Sequence, residues 1–356
     1  MSIYNFYAGP AILPKEVFAE ASEAVKDFGG MGLSILEISH RSKEFQAVMD
    51  EAQALAKELL SIPDNYEVLF LQGGASTQFM MAPMNVLDEN ETAAYVDTGN
   101  WSAKAIKEAS LFGKTEVVAS SNDGGYKHIP KDFTLPTDTK YLHITSNNTV
   151  AGTQYKSYPQ VDVPIIADMS SDIFSRPQDV TKFGMIYAGA QKNMGPAGTT
   201  LVIVNKDFVA APVRPVPTML NYNTHIGKQS MFNTPPVFPV YVSMLTMRWV
   251  KAKGGVKALD QINTRKSDVL YNYLDNSSLF FSPIAAEDRS KMNAVFLMKN
   301  EDLNDAFLAA AADAGCIGVK GHRSVGGFRA SIYNAMPEAG VQKLVDVMAE
   351  FERSHG

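Results

Sequence analysis

Apolar residues recur at helical spacing over residues 14–28, opened by Pro14 and closed by Gly29 and Gly30, the residue types that helix ends favour. A second helix is expected over 42–60. The pattern then changes to short, almost wholly apolar runs at 66–71, 93–96, 141–145, 164–167, 185–188 and 200–204, with helical stretches between them. Strands this apolar are buried on both faces, as in a mostly parallel sheet covered by helices, so a three-layer α/β domain is expected. A helix-rich stretch at 241–274 follows, then a strand at 294–298, a helix at 303–314, a strand at 328–333 and a helix at 337–351, which reads as a small α+β domain. There is no internal repeat and no low-complexity linker, so the division rests on pattern: 16–250 for the large domain, and 1–15 with 251–356 for the small one.

Composition narrows the classes of function. At 356 residues the chain exceeds what one core usually serves, and 46% hydrophobic against 20% charged residues excludes a disordered chain. A net charge of -6 argues against nucleic acid as a partner. No apolar run has the length of a membrane span, no basic-then-apolar leader opens the chain, and the single cysteine, Cys316, leaves no disulfide framework. These features read as a cytoplasmic protein. The six histidines lack metal-ligand spacing and no cysteine cluster accompanies them, so no metal is expected.

Candidate chemistry sits where strands end. Asp168 closes the run Val163-Pro-Ile-Ile-Ala-Asp, and Lys192 follows the next strand in Tyr187-Ala-Gly-Ala-Gln-Lys-Asn-Met-Gly-Pro. Ligands of open α/β sheets lie beyond the carboxyl ends of strands, so the two can converge on one molecule; they can equally be a buried ion pair or unrelated loop residues. With pyridoxal phosphate between them, the lysine would form the Schiff base and the carboxylate would hold the pyridine nitrogen protonated. Gly73-Gly74-Ala75-Ser76 leads from a strand into a helix and suits a phosphate, or is plain turn chemistry; it matches neither the P-loop nor the dinucleotide fingerprint. Trp101, in Thr98-Gly-Asn-Trp-Ser, can stack on a flat ring or fill space. The loop Ser146-Asn-Asn-Thr149-Val-Ala-Gly can bond a ligand or cap a turn.

The chain resembles the phosphoserine aminotransferase family. The segments that carry the likeness are Asn5-Phe-Tyr-Ala-Gly-Pro, Glu37-Ile-Ser-His-Arg-Ser, Ala167-Asp-Met-Ser-Ser-Asp, Ala188-Gly-Ala-Gln-Lys-Asn-Met-Gly-Pro, Phe232-Asn-Thr-Pro-Pro and Lys320-Gly-His-Arg-Ser-Val-Gly-Gly-Phe-Arg-Ala-Ser-Ile-Tyr-Asn. The resemblance implies a fold-type I pyridoxal 5'-phosphate enzyme: a large domain with a mostly parallel seven-stranded sheet between helices, and a small C-terminal α+β domain. It implies a homodimer with shared active sites that exchanges an amino group between glutamate and 3-phosphohydroxypyruvate for serine synthesis. Some relatives also accept 4-phosphohydroxythreonine, in vitamin B6 synthesis.

Carried over by position, Lys192 is the Schiff-base lysine, Asp168 the pyridine partner and Trp101 the stacking ring. Ala75, Ser76, Thr149 and Gln191 are further cofactor contacts, and Asn233 and Thr234 reach the phosphate across the dimer interface. Both substrates are dianions, so two cationic anchors are needed. Arg329 would take the α-carboxylate through its planar fork; His40, Arg41, His322 and Arg323 would form the second anchor. The chain departs from some relatives at Ser76, where they carry arginine, and at Ala8, where they carry serine.

Three competing readings stand beside this one. A cysteine desulfurase or β-lyase would use Cys316, yet its apolar surroundings read as the buried start of a strand. A non-catalytic relative would be expected to lose Lys192 or Asp168. A nicotinamide dehydrogenase would need the fingerprint that is absent.

Overall fold

The computed structural model describes residues 2–355. A short strand β1 (Tyr4–Asn5) precedes α1 (Lys15–Lys26) and α2 (Lys43–Leu60). The Ser42 hydroxyl caps α2 by accepting from the Phe45 N–H at 3.2 Å. The helix buries Phe45, Val48, Met49, Ala52, Leu55, Ala56 and Leu59, one stripe at helical spacing.

The large sheet then forms from β2 (Tyr66–Leu71), β3 (Thr92–Asp97), β4 (Lys114–Ser120), β5 (Thr139–Thr145), β6 (Ile165–Asp168), β7 (Phe183–Gly189) and β8 (Thr200–Asn205). Their order is β2-β8-β7-β6-β5-β3-β4. Only β8 runs against its neighbours. Helices α3 (Gly74–Val86) and α4 (Asn100–Ala109) follow β2 and β3, and α5 (Tyr222–Ile226) follows β8.

Strand alternation sorts the side chains into two cores. Leu142, Ile144, Ala167, Ile186 and Ile203 pack with α1 and α2 on one face. Tyr141, Ile166, Tyr187 and Val202 pack with Phe79 of α3 and Ala105 of α4 on the other. β4 is the strand that the apolar pattern does not reveal, because it is an edge. Its residues Lys114, Glu116 and Val117 are exposed, so neither a continuous apolar run nor a strict alternation marks it.

The helical stretch expected at 241–274 is two helices, α6 (Val237–Ala252) and α7 (Gly255–Asn276), broken at Gly254, whose φ is 97°. The rest of the chain gives β9 (Phe280–Phe281), β10 (Asn293–Met298), α8 (Asn304–Asp313), β11 (Cys316–Ile317), β12 (Phe328–Ser331) and α9 (Glu338–His355). β9, β10 and β12 form an antiparallel sheet, and β11 pairs with β1 in parallel. A third core lies here, with Phe280 at its centre within 6.4 Å of the rings of Phe296, Phe307, Phe328 and Phe351. Phe6 belongs to this core, whereas Val256 and Leu259 of α7 belong to the core of α1 and α2.

A buried polar joint fastens the two parts. The Asn334 N–H donates to Asn193 Oδ1 at 2.9 Å, its side chain donates to the Phe174 carbonyl at 2.9 Å, and Asn263 donates to Asn334 Oδ1 at 2.8 Å. Just upstream, fully buried Lys266 donates to the carbonyls of Ile332 at 2.9 Å and Tyr333 at 2.7 Å. An amine has two hydrogens for two acceptors, so these bonds do not require the charge, and burial lowers the Lys266 pKa to about 7. Above that pH the unfolded chain holds a proton that the folded chain has released, so this group adds stability as pH rises. The stability difference between the protein and Lys266→Met, read from urea midpoints, should therefore grow from pH 7 to 9, by at most about 1.4 kcal/mol per pH unit. A difference independent of pH would mean that Lys266 binds its proton as a free lysine does.

Candidate active site

The parallel strands end at one edge, and the functional side chains gather there. Lys192 lies in the turn after β7, which closes with the Gly195 N–H on the Ala190 carbonyl at 2.8 Å. Its side chain is buried; Nζ donates to Thr149 Oγ1 at 2.6 Å and stands 5.2 Å from the centroid of the Trp101 ring. Asp168 ends the adjacent strand β6, also buried. Its Oδ1 accepts from both the N–H and the hydroxyl of Ser170, at 2.9 and 2.6 Å. Among the described residues, no hydrogen bond reaches Oδ2.

Asp168 and Lys192 feel each other's charge without forming an ion pair. Burial raises the Asp168 pKa and Lys192 opposes that rise. Burial likewise lowers Lys192 to about 8, with Asp168 opposing and Arg329 reinforcing. A neutral amine is thus accessible near physiological pH, which a nucleophile or proton carrier requires.

The loop between β5 and β6 brings the second part of the chain to this point. Gly152 within it has a φ of 86°, and a Cβ there would stand 2.8 Å from Val295 Cγ2 of β10, so only glycine fits. Thr149, in the same loop, touches both sides: its hydroxyl accepts from Lys192 and its carbonyl accepts from Arg329 Nη1 of β12 at 3.1 Å. Trp101 opens α4, whose start is fixed by Ser102 Oγ accepting from the N–H groups of Thr98 and Gly99, each at 3.0 Å. The Trp101 Nε1 and Arg329 Nε atoms are buried with no partner among the described residues.

Ala75 and Ser76 lie in the first turn of α3, which holds no acidic residue. Gly73 caps it at a φ of 91°, and a Cβ there would collide with Thr77 Oγ1 at 1.9 Å. The free N–H groups of such a turn attract an anion. Gln191 sits beside Lys192, its carbonyl accepting from the Ala11 N–H at 2.9 Å. His322 bonds Ser324 Oγ at 2.7 Å and is held toward its neutral form by burial, then by Arg329, Arg323 and Lys104.

The remaining candidates stand apart. His40 and Arg41 lie just before the cap of α2, with His40 Nε2 buried and unpartnered. The Thr234 carbonyl accepts from Gln72 Nε2 at 3.0 Å, and Asn233 borders a cavity of about 380 Å³ with Gly73 and Thr77. Among the described residues, no hydrogen bond, ion pair or ring contact joins His40, Arg41, Asn233 or Thr234 to Lys192, Asp168 or Trp101.

Two features escape the sequence reading. Ser170 orients Asp168, and its signal is the Asp-x-Ser spacing of an Asx turn. Below Asp168, buried His143 bonds the Tyr187 hydroxyl at 2.7 Å and burial brings its pKa down to about 3. A histidine inside an apolar run gives no sign of that partner.

Comparison with known proteins places this geometry. The model of the family Aminotransferase class-V matches residues 3–344. The phosphoserine aminotransferase of Bacteroides fragilis is 57% identical over the whole of both chains, and that of Flavobacterium johnsoniae 56% over 99% of each. The chain belongs to the phosphoserine aminotransferase family, within the class-V aminotransferases. Its fold superposes on a solved phosphoserine aminotransferase from Bacillus circulans subsp. alkalophilus with a TM-score of 0.97, at 47% identity over 100% and 99% of the two chains. A pyridoxal-phosphate-bound relative from Trichomonas vaginalis gives a TM-score of 0.93, at 35% identity over 98% of this chain and 100% of that one.

The aminotransferase fold has the residues that pyridoxal 5'-phosphate needs. Lys192 offers a buried amine free of any ion pair, Asp168 an unengaged carboxylate oxygen, Trp101 a ring face, and the start of α3 unpaired N–H groups. The desulfurase or β-lyase reading fails: Cys316 is buried in the small core and its thiol is pushed up to about 11 by burial. Among the described residues no group of three or more His, Cys, Asp or Glu could hold a metal ion, and no helix is long and apolar enough to cross a membrane.

Since Asp168 is the charge that supports protonation of Lys192, Asp168→Asn should move the lysine's midpoint below about 8. The pH dependence of Lys192 acylation in cofactor-free protein measures it. A midpoint that stays or rises would contradict the electrostatic coupling.

Proposed function

We propose that this chain is a phosphoserine aminotransferase that exchanges an amino group between L-glutamate and 3-phosphohydroxypyruvate, giving O-phospho-L-serine and 2-oxoglutarate in serine biosynthesis. The observation that carries the proposal is the junction at Thr149, which binds the buried amine of Lys192 with its hydroxyl and Arg329 with its carbonyl. A reactive amine and a carboxylate-binding guanidinium are thereby held one residue apart, as a reaction at an amino acid's Cα demands.

Bound pyridoxal 5'-phosphate supplies a carbonyl for capture of the amino group and a conjugated ring that accepts electrons. Lys192 would hold it covalently, Asp168 would keep its ring nitrogen protonated, and Trp101 would stack on its face. The N–H groups at Ala75 and Ser76 would receive its phosphate, with Thr149 and Gln191 as further contacts. Lys192 Nζ is the base for the substrate's Cα proton, a role that a pKa lowered to about 8 favours. Arg329 receives the α-carboxylate, and its bond to the Thr149 carbonyl fixes its direction. His322 and Arg323, with His40 and Arg41, receive the distal phosphate or carboxylate.

The isolation of His40, Arg41, Asn233 and Thr234 from Lys192 within one chain supports a homodimer whose partner completes each site. We assign residues 16–250 to the large domain and 1–15 with 251–356 to the small one; the membership of Phe6 in the third core supports the split. A soluble phosphorylated substrate and a lone reduced cysteine fit the cytoplasm. The same distal anchor suits 4-phosphohydroxythreonine, for vitamin B6 synthesis.

Lys192→Ala should abolish phosphoserine transamination while the circular dichroism spectrum and oligomeric state stay as in the parent; near-parental activity would remove Lys192 from the reaction. Arg329→Lys loses a forked, charged contact of about 1.5 to 3 kcal/mol, so KM for glutamate should rise roughly 10- to 150-fold. An unchanged KM would put the α-carboxylate elsewhere.

A further inference from the structure

Lys104 lies one turn after Trp101 on α4, on the same face of the helix. Its Nζ stands 4.6 Å from the centroid of the Trp101 ring, the ring whose centroid is 5.2 Å from Lys192 Nζ. It is exposed and, among the described residues, makes no hydrogen bond. Glu108, one turn further along α4, is spaced to pair with it and forms no ion pair with it. On the other side its charge reaches His322, which also feels Arg329 and Arg323.

Some arginines elsewhere in the protein are neutralised, Arg248 by Glu51, Arg289 by Asp275 and Arg265 by Glu338. Among the described residues, Lys104, Lys192, Arg323 and Arg329 take part in no ion pair. Positive charge left unneutralised beside the Trp101 ring and His322 makes a local field that attracts an anion.

We propose that Lys104 is a specificity-determining residue that recognises the doubly charged phosphate end of the substrate, beside His322 and Arg323. The proposal rests on the reading of the chain as a phosphoserine aminotransferase. The Lys104 ammonium lies over the Trp101 indole, and the fixed start of α4 holds both. Coulomb energy scales with ligand charge, and a phosphate monoester carries about -1.5 to -2 near pH 7 against -1 for the γ-carboxylate of glutamate. Lys104 therefore biases the site toward phosphoserine over glutamate, although both use the same anchor.

The test is kcat/KM for phosphoserine and for glutamate in the cofactor-loaded parent, Lys104→Met and Lys104→Arg, with inhibition by inorganic phosphate as a second readout. Removal of the charge should lower kcat/KM about 10-fold for phosphoserine and about 3-fold for glutamate, the square root expected when ligand charge is nearly halved. It should raise the inhibition constant of phosphate, and Lys104→Arg should restore most of the loss. Equal losses for both substrates, no loss, or phosphate inhibition indifferent to Lys104→Met would overturn the proposal. A parent enzyme with no phosphoserine turnover would instead overturn the reading on which the proposal rests, and phosphate inhibition of its glutamate reaction would still test Lys104.

Discussion

The arrangement of the site depends on the burial of the Lys192 amine against a hydroxyl instead of a carboxylate. Had Asp168 closed onto Lys192 as an ion pair, the amine would be held protonated and the space between them closed. Instead Ser170 engages one oxygen of Asp168 through both its N–H and its hydroxyl, and among the described residues Thr149 gives the amine its only hydrogen bond. Each charged group is thus positioned by a small neutral neighbour. The pair retains its electrostatic coupling across the gap that an ion pair would have closed.

That gap is useful only if the substrate arrives in register, which ties chemistry to the joint between the two parts of the fold. Arg329 comes from the small sheet and Lys192 from the large one. Thr149 bridges them directly, while Asn193, Asn334 and Asn263 join the residue after Lys192 to the segment after β12. The joint is polar and buried, so each donor must meet its acceptor and sliding is costly. A purely apolar interface would tolerate small shifts that this one does not.

Much of this was legible in the sequence because the strands that carry the site are apolar on both faces. The runs ending near Asp168 and Lys192 read as buried parallel strands, and the structure has β6 and β7 there, with Thr149, Trp101 and Arg329 converging on them. The edge strand β4 did not show, because exposed Lys114, Glu116 and Val117 break the apolar run. Neither did Ser170 or His143 as neighbours of the site, since each owes its position to a contact distant in sequence or to a turn too short to leave a period. His40, Arg41, Asn233 and Thr234 were picked out by resemblance, and among the described residues no hydrogen bond, ion pair or ring contact joins them to Lys192.

A buried Lys192 and a set of unpaired cations make a site for amino-group exchange on a phosphorylated substrate. The most direct measurement is a single turnover: protein loaded with pyridoxal 5'-phosphate, mixed with equimolar O-phospho-L-serine, followed by the cofactor's visible absorption and by assay of the released keto acid. The account predicts loss of the visible band together with one equivalent of 3-phosphohydroxypyruvate per site, and recovery of the band, with glutamate formed, when 2-oxoglutarate is added. A band that persists with phosphoserine, with no keto acid released, would contradict the account.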